Sequence, residues 1–349
     1  MRWPADHPAV TDEALAPWRV GAEELCPEGT VVRVLRHLAG RRVATLVETR
    51  RGLAVLKVFA SPRARGNDRR LASLGRSTAS HLVPASLGVD RSGHVALIDW
   101  VHGEVFDQLP DDGFVAAAPV VGRALATLHA CGAALDRRWT FEDEVAQLHR
   151  RATDATSAMV EETVARALPV AGAPLVSAHR DCHPRQVVAT EGGVRWIDLD
   201  DAAMAPAGLD VGNFTAHLRR DQVFGDRRSL VTAAAVEGFL RGYQGHPHHP
   251  PSDEVDTGRL RPPTDMGNGT ADAGDIEAWE ELALIRLAGL AETRHQRPDR
   301  SRAILALLAA GRGHDAERSA QPVQLRGEPG APRRDLPLTA SVTGDDVDR

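Results

Sequence analysis

PLVSAHRDCHPRQVVATEGGVRWIDLDD, Pro174 to Asp201, is the stretch on which the reading of this chain turns. Inside it, HRDCHPRQ (His179 to Gln186) gathers two histidines, a cysteine and an aspartate. Three interpretations are open: a metal cage, a surface loop or a phosphotransfer loop. A zinc cage wants about four ligands at known spacings, and Cys182 with its neighbours lacks a second Cys/His pair at such an interval. HPHHP, from His246, is a weak metal candidate for the same reason and reads as a solvated loop.

After the loop come VVAT and VRWID, two short β-like runs joined by Glu191-Gly192-Gly193. A three-residue hairpin loop ending in glycine fits known turn chemistry and sets Gln186 opposite Asp198. Opposed residues of an antiparallel pair lie ~4.5 to 5.5 Å apart between Cα atoms, so two oxygen-bearing side chains at the open end can share one hard cation. Asp181 sits in the loop just beyond. The bland account is that aspartates commonly cap turns and hairpins.

A second signal lies upstream. Of 42 Lys and Arg residues only Lys57 is a lysine, and it sits inside the apolar run LAVLKVF. Lysine is a compact, mobile point charge and arginine a rigid planar fork, so a position that keeps lysine points to a site specific for it. From Val31 to Ser80 there are twelve basic residues against two acidic ones, a field that favours an anion near the first third of the chain or that simply solvates that face.

Around these landmarks the chain divides. VVRVLRHL, RVATLVE and LAVLKVF predict an antiparallel meander. A helix follows near Asp68 to Leu74, then strand candidates SLGVD and HVALIDWV. Helical periodicity starts at Asp112. It continues through FEDEVAQLHRRATDATSAMVEETVARAL after a cap at Thr140, and resumes in IEAWEELALIRLAGLAET. The Pro/Gly/His/Asp-rich stretch 246–275 reads as an exposed insertion, and 313–349, without an aromatic residue, as a disordered tail.

Composition excludes whole classes. Hydrophobic content of 42% with 26% charged residues is that of a globular chain. A net charge of −6 gives no general reason to expect nucleic acid. Three scattered cysteines argue against a disulfide framework. No apolar run has the length of a signal peptide or a membrane span, so the expectation is a cytoplasmic protein with no membrane partner.

With Lys57, HRDCHPRQ and WID on the page, the chain resembles the aminoglycoside phosphotransferase and choline-kinase-like family, relatives of protein kinases. Their signature is His-x-Asp, four residues, Asn, and a hairpin to Ile-Asp. The likeness runs from about Val31 to Leu308 and is strongest from His179 to Asp210. It implies an α+β, two-lobed protein-kinase-like fold: an N-terminal extension (1–27), a small antiparallel-sheet lobe (28–101) and a larger, mainly helical lobe (102–312).

Position by position, the resemblance gives Asp181 the role of catalytic base and Asp198 that of magnesium ligand, with Gln186 as the second ligand where the family has Asn. Lys57 would pair with the α- and β-phosphates of ATP or GTP, and backbone groups at Asp99, Trp100 and Val101 would hydrogen-bond the base. Asp210 would brace the catalytic loop. His179 is expected to bond backbone, Cys182 to be a packed residue, and His183 either to be structural or to touch phosphate. Asp200 and Asp201 are ambiguous. The helix acid that usually holds the lysine has only Asp68 as a candidate. Glu277, Glu280 and Glu281 would receive an amine-bearing sugar or form a solvated face.

The implied activity is transfer of the γ-phosphoryl group to a hydroxyl of a small molecule with Mg²⁺. The alternative is a nucleotide-binding pseudokinase with little turnover, in which Gln186 and the missing helix acid record lost catalysis.

Overall fold

Alternating branched residues fold Thr30–Leu38 (β1), Arg42–Thr49 (β2) and Gly52–Phe59 (β3) into the expected antiparallel meander. In this computed structural model, which describes residues 1, 3–245 and 273–320, Ser86–Val89 (β4) and Val95–Asp99 (β5) complete a five-stranded antiparallel sheet of order β1-β2-β3-β5-β4. The chain divides into two compact units, Met1–Ala309 and Ala310–Arg349, and the sheet belongs to the first.

The period of two decides which side of β3 carries what. Ala54, Leu56 and Val58 enter one apolar cluster with Val43 and Val47. That face is covered by the N-terminal segment, including Pro8–Thr11 (α1) and Arg19–Leu25 (α2), whose Ala9, Leu15 and Ala22 are fully buried against it. The segment expected as an extension is therefore the roof of the sheet. His7 is buried there, its Nε2 3.0 Å from Thr45 Oγ1, and Trp18 stacks on His94.

Lys57 shares the opposite face with Phe59. There Ala64–Gly75 (α3) contributes Leu71 and Leu74 to a cluster that also takes in Phe59 and Ile98. The cluster continues without a break into the helical part through Phe106, Phe114 and Phe214, so the two expected lobes share one core.

Past the short strand Glu104–Val105 (β6) lies Asp111–Ala130 (α4), which is long and apolar enough to cross a membrane by length and composition. Its Phe114, Val121, Leu125 and Leu128 are instead core residues. Phe141–Arg151 (α5) starts at Thr140 with a full capping box closed by Asp143. The run expected to continue from it breaks into a second helix, Ser157–Ala167 (α6). Between them Thr156 Oγ1 accepts from Thr153 N at 2.8 Å, the side-chain competition that makes threonine a poor mid-helix residue.

Leu175–Ala178 (β7), Val187–Thr190 (β8), Gly193–Trp196 (β9) and Ala203–Pro206 (β10) form two small sheets, β10-β7 and β6-β8-β9. Ala207–Val223 (α7), Ser229–Gln244 (α8), Ala273–Thr293 (α9) and Pro298–Ala320 (α10) follow. Helices α4 and α8 approach with their backbones almost touching: a Cβ on Gly122 would collide with the Phe239 carbonyl, and one on Gly242 with that of Pro119. The last helix reaches into the stretch expected to be disordered from residue 313. Residues 246–272, the bulk of the expected insertion, and 321–349 lie outside the described residues.

Candidate active site

The β8–β9 hairpin pairs Val187 with Trp196 and Thr190 with Gly193, so its loop has two residues, Glu191 and Gly192. The expected three-residue loop is one residue too long, because Gly193, at φ +130°, closes the ladder itself. The correction moves the residue opposite Gln186 from Asp198 to Ile197, whose N–H donates to Gln186 O at 2.9 Å. Such a slip would ordinarily flip a side chain to the other face. Asp198 undoes it with a left-handed backbone, φ 57°, ψ 48°, and Gln186 Nε2 lies 3.5 Å from its Oδ2.

Lys57 is 8% exposed and reaches across from β3 to this point. Its Nζ donates to Asp198 Oδ1 and to Asp200 Oδ1, both at 2.7 Å. Arg42, on the neighbouring strand, donates to Asp200 Oδ2 at 2.6 Å and lies 3.4 Å from Asp198 Oδ2. Burial alone would raise both carboxyls; at Asp198 the charges of Lys57 and Arg42 outweigh it and hold the group well below the usual carboxylate range. Asp200 stays above its ordinary value because burial and the Asp198 charge together prevail over Lys57.

The lysine is thus held by Asp198 and Asp200, and not by Asp68. Asp68 instead accepts from Ser86 Oγ at 2.6 Å. Helix α3 still reaches the site, through buried Arg70, which donates to Asp200 O at 2.9 Å and to Asp136 Oδ1 at 3.1 Å. Asp201, the other ambiguous aspartate, accepts from Arg63 and Arg137.

The loop between β7 and β8 is fixed from below. Asp210, fully buried on α7, accepts from His179 N at 2.6 Å and Arg180 N at 2.7 Å, which secures the left-handed Arg180 (φ 71°). His129 of α4 stands behind it, Nε2 3.1 Å from Asp210 Oδ2 and Nδ1 2.9 Å from the Tyr243 hydroxyl. One turn along α7, Asn213 Nδ2 donates to Cys182 O at 2.7 Å. His179 Nε2 lies 2.9 Å from Ile197 O and so ties the loop to the end of the hairpin. These contacts match what was expected of Asp210 and His179. His129 and Asn213 were not anticipated, although the Asp210/Asn213 spacing puts both on one helix face.

Held this way, Asp181 projects its side chain, 53% exposed, into a cavity of about 700 Å³ whose walls also include His183, Arg42 and Asp201. Cys182 is fully buried, with its thiol pushed well up by burial. His183 stacks on His217, its Nδ1 accepts from Arg185 N, and burial pushes it down to about 4, so the ring is neutral at pH 7. Asp99 ends β5, Trp100 is half-buried and Val101 buried; none of the three lines the cavity. Glu280 and Glu281 neither face solvent nor wait for an amine: they pair with Arg219 and Arg166.

No curated protein matches the chain. Solved structures that resemble it include a glucosamine kinase in complex with glucosamine, ADP and inorganic phosphate, 18% identical over 84% of this chain and 83% of that one, TM-score 0.54. A choline kinase from Cryptosporidium parvum Iowa II is 10% identical over 88% and 98% of the two chains, TM-score 0.57. The aminoglycoside phosphotransferase APH(4)-Ia is 14% identical over 86% and 99%, TM-score 0.58. At such identities the likeness establishes the fold, which is protein-kinase-like. The model of the phosphotransferase enzyme family matches residues 31–255, and the chain belongs to that family.

Proposed function

We propose that the protein transfers the γ-phosphoryl group of ATP or GTP to a hydroxyl of a small molecule. The observation that carries this is the meeting of Lys57, Asp198 and Gln186 across some 130 to 140 positions of sequence, beside a loop whose only strongly exposed acid is Asp181. Phosphoryl transfer asks the protein for positioning and charge more than for covalent chemistry. Lys57 holds the α- and β-phosphates, for which it exchanges part of its present carboxylate contacts. Backbone groups at Asp99, Trp100 and Val101 bond the base.

Asp181 orients the acceptor hydroxyl and takes its proton as the new O–P bond forms. The bridging P–O bond between the β- and γ-phosphorus breaks, and its electron pair leaves on the nucleoside diphosphate. The left-handed backbone of Arg180, clamped by Asp210, fixes the direction in which Asp181 points.

The donor set suits magnesium. Asp198 supplies a carboxylate kept ionised by Lys57, and Gln186 an amide oxygen once its side chain is turned, both hard ligands. Among the described residues no three His, Cys, Asp or Glu side chains form a metal cage, in keeping with an ion that takes its other ligands from phosphate and water. When bound, Mg²⁺ neutralises the developing charge on the β- and γ-oxygens. Three free cysteines and the need for nucleotide suit action in the cytoplasm.

The test is magnesium-dependent thermal stabilisation by ATP and by GTP, followed by a screen for diphosphate release with hydroxylated small molecules. Stabilisation together with acceptor-dependent release is expected. Stabilisation without release across a broad panel would favour a nucleotide-binding protein without turnover, and neither effect would remove the proposal.

A further inference from the structure

The cavity at Asp181 is lined by eleven arginines and three aspartates, with no lysine and no glutamate, in a chain whose net charge is −6. Part of this positive charge is committed within the protein: Arg42 to Asp198 and Asp200, Arg63 to Asp201, Arg185 to Asp107. Another part is not. Arg151 at the end of α5, Arg180 beside the proposed base, and Arg294 just past α9 form no ion pair among the described residues.

Arg180 is the most telling of these. Its guanidinium lies 3.7 Å over the Trp139 ring, and its buried Nη1 has no hydrogen-bond partner. Burial lowers its pKa, and Arg137 and Arg286 add to this against the opposing charges of Asp201 and Glu144; Arg151 is lowered by burial and by Arg286, Arg150 and Arg294 against Glu144. Cations are gathered here against their own repulsion. A buried donor without a partner is unfavourable, and a bound anion relieves it.

Nucleotide phosphates do not account for the whole set. Lys57 and Asp198, which receive them in the proposed function, are absent from the cavity wall, as are Asp99, Trp100 and Val101. Four of the eleven arginines come from β1, β2 and the segments next to them; the other seven come from α5, α7, the α9–α10 region and the loop at Asp181, the side assigned to the acceptor. The carboxylates that might have recognised an amine, Glu280 and Glu281, are already paired with arginines.

We infer that the phosphoryl acceptor is an anion, a hydroxylated small molecule bearing a phosphate or carboxylate group that Arg151, Arg180 and Arg294 engage while its hydroxyl meets Asp181. Arginine forks match both anions bidentately. This rests on the proposed phosphotransfer, whose bond changes are unaltered: the acceptor oxygen gains the γ-phosphoryl group, its proton passes to Asp181, and the nucleoside diphosphate leaves.

The test uses the full chain with ATP and Mg²⁺ and three matched probes: glucose 6-phosphate or 3-phosphoglycerate as anions, glucose as a neutral alcohol, glucosamine as a cation. Each is measured for ADP release and, by calorimetry, for binding in the presence of a non-hydrolysable ATP analogue. The anions are expected to bind and react at least about tenfold better than the cation, with affinity falling as salt rises. Arg151→Gln and Arg294→Gln are each expected to raise the acceptor KM about tenfold, the loss of one charge-assisted contact, with ATP affinity unmoved. Preference for glucose or glucosamine, equal response to all three, or silence of the anions in both assays overturns the inference while ATP-dependent stabilisation keeps the kinase reading. Loss of nucleotide binding itself sinks that reading instead.

Discussion

Lys57 and Asp200, from β3 and from the turn after the β8–β9 hairpin, meet at 2.7 Å in the interior, and this pair does the work that the sequence led one to seek on α3. Both are more than nine-tenths buried in a cluster with Asp198 and Arg42, so removing Asp200 leaves two cations facing one carboxylate. Asp200→Ala should therefore cost about 3 kcal/mol in urea unfolding and weaken ATP binding. Asp68→Ala, which loses only its bond to Ser86, should cost under about 1.5 kcal/mol and leave ATP affinity alone. Equal loss of ATP affinity in the two variants would return the lysine's partner to the helix.

Asp210 governs loop geometry and not the chemistry directly. Because it accepts from two consecutive amides and from His129, Asp210→Asn brings an NH₂ group against a donor on at least one side. The expected outcome is about 2 kcal/mol of lost stability and a fall in kcat larger than any change in ATP affinity. Tyr243→Phe, at the far end of the same chain of contacts, should cost about 1–2 kcal/mol, because it leaves the buried His129 Nδ1 without its partner. A stable, fully active Asp210→Asn protein would show that the loop holds itself.

The meander, Lys57, the hairpin and the loop were legible because each rests on local chemistry: alternation, turn residues and a charge inside an apolar run. What escaped was set by tertiary placement. Asp200 looked like one of three acids after Trp196, and only the burial of Lys57 selects it. The hairpin register failed by one because Gly193 can end a loop or open a strand equally well. The N-terminal segment gave no periodicity long enough to reveal that it roofs the sheet. The arginine excess from Val31 to Ser80 pointed to an anion, and Arg36 and Arg41 from that window do line the cavity, but Arg151, Arg180 and Arg294 come from far along the chain, which no local window could join to it.

Stability should depend on pH through His183. Its pKa falls from 6.5 to about 4 on folding, so the unfolded chain binds the proton first. The stabilising effect of the neutral ring is complete above pH 6.5 and is lost as pH drops toward 4, with a slope of about 1.4 kcal/mol per pH unit. His217, also lowered by burial, adds in the same direction. Urea midpoints between pH 7 and 4 should fall steadily, and His183→Asn should remove one proton's share of that slope. An unchanged slope in the variant would mean that other groups carry it. Asp198 contributes only at lower pH, because its carboxyl is held below the usual range.

The most direct measurement is the kinetic split in Asp181→Asn, with ATP, Mg²⁺ and whichever acceptor the wild-type protein turns over. Removing a general base predicts a fall in kcat of at least about 10²-fold, with the ATP dissociation constant and the urea midpoint close to wild type, since the Asp181 side chain is largely exposed and stands 3.9 Å from the neutral His183 ring. A variant that keeps full turnover would contradict the account at its centre.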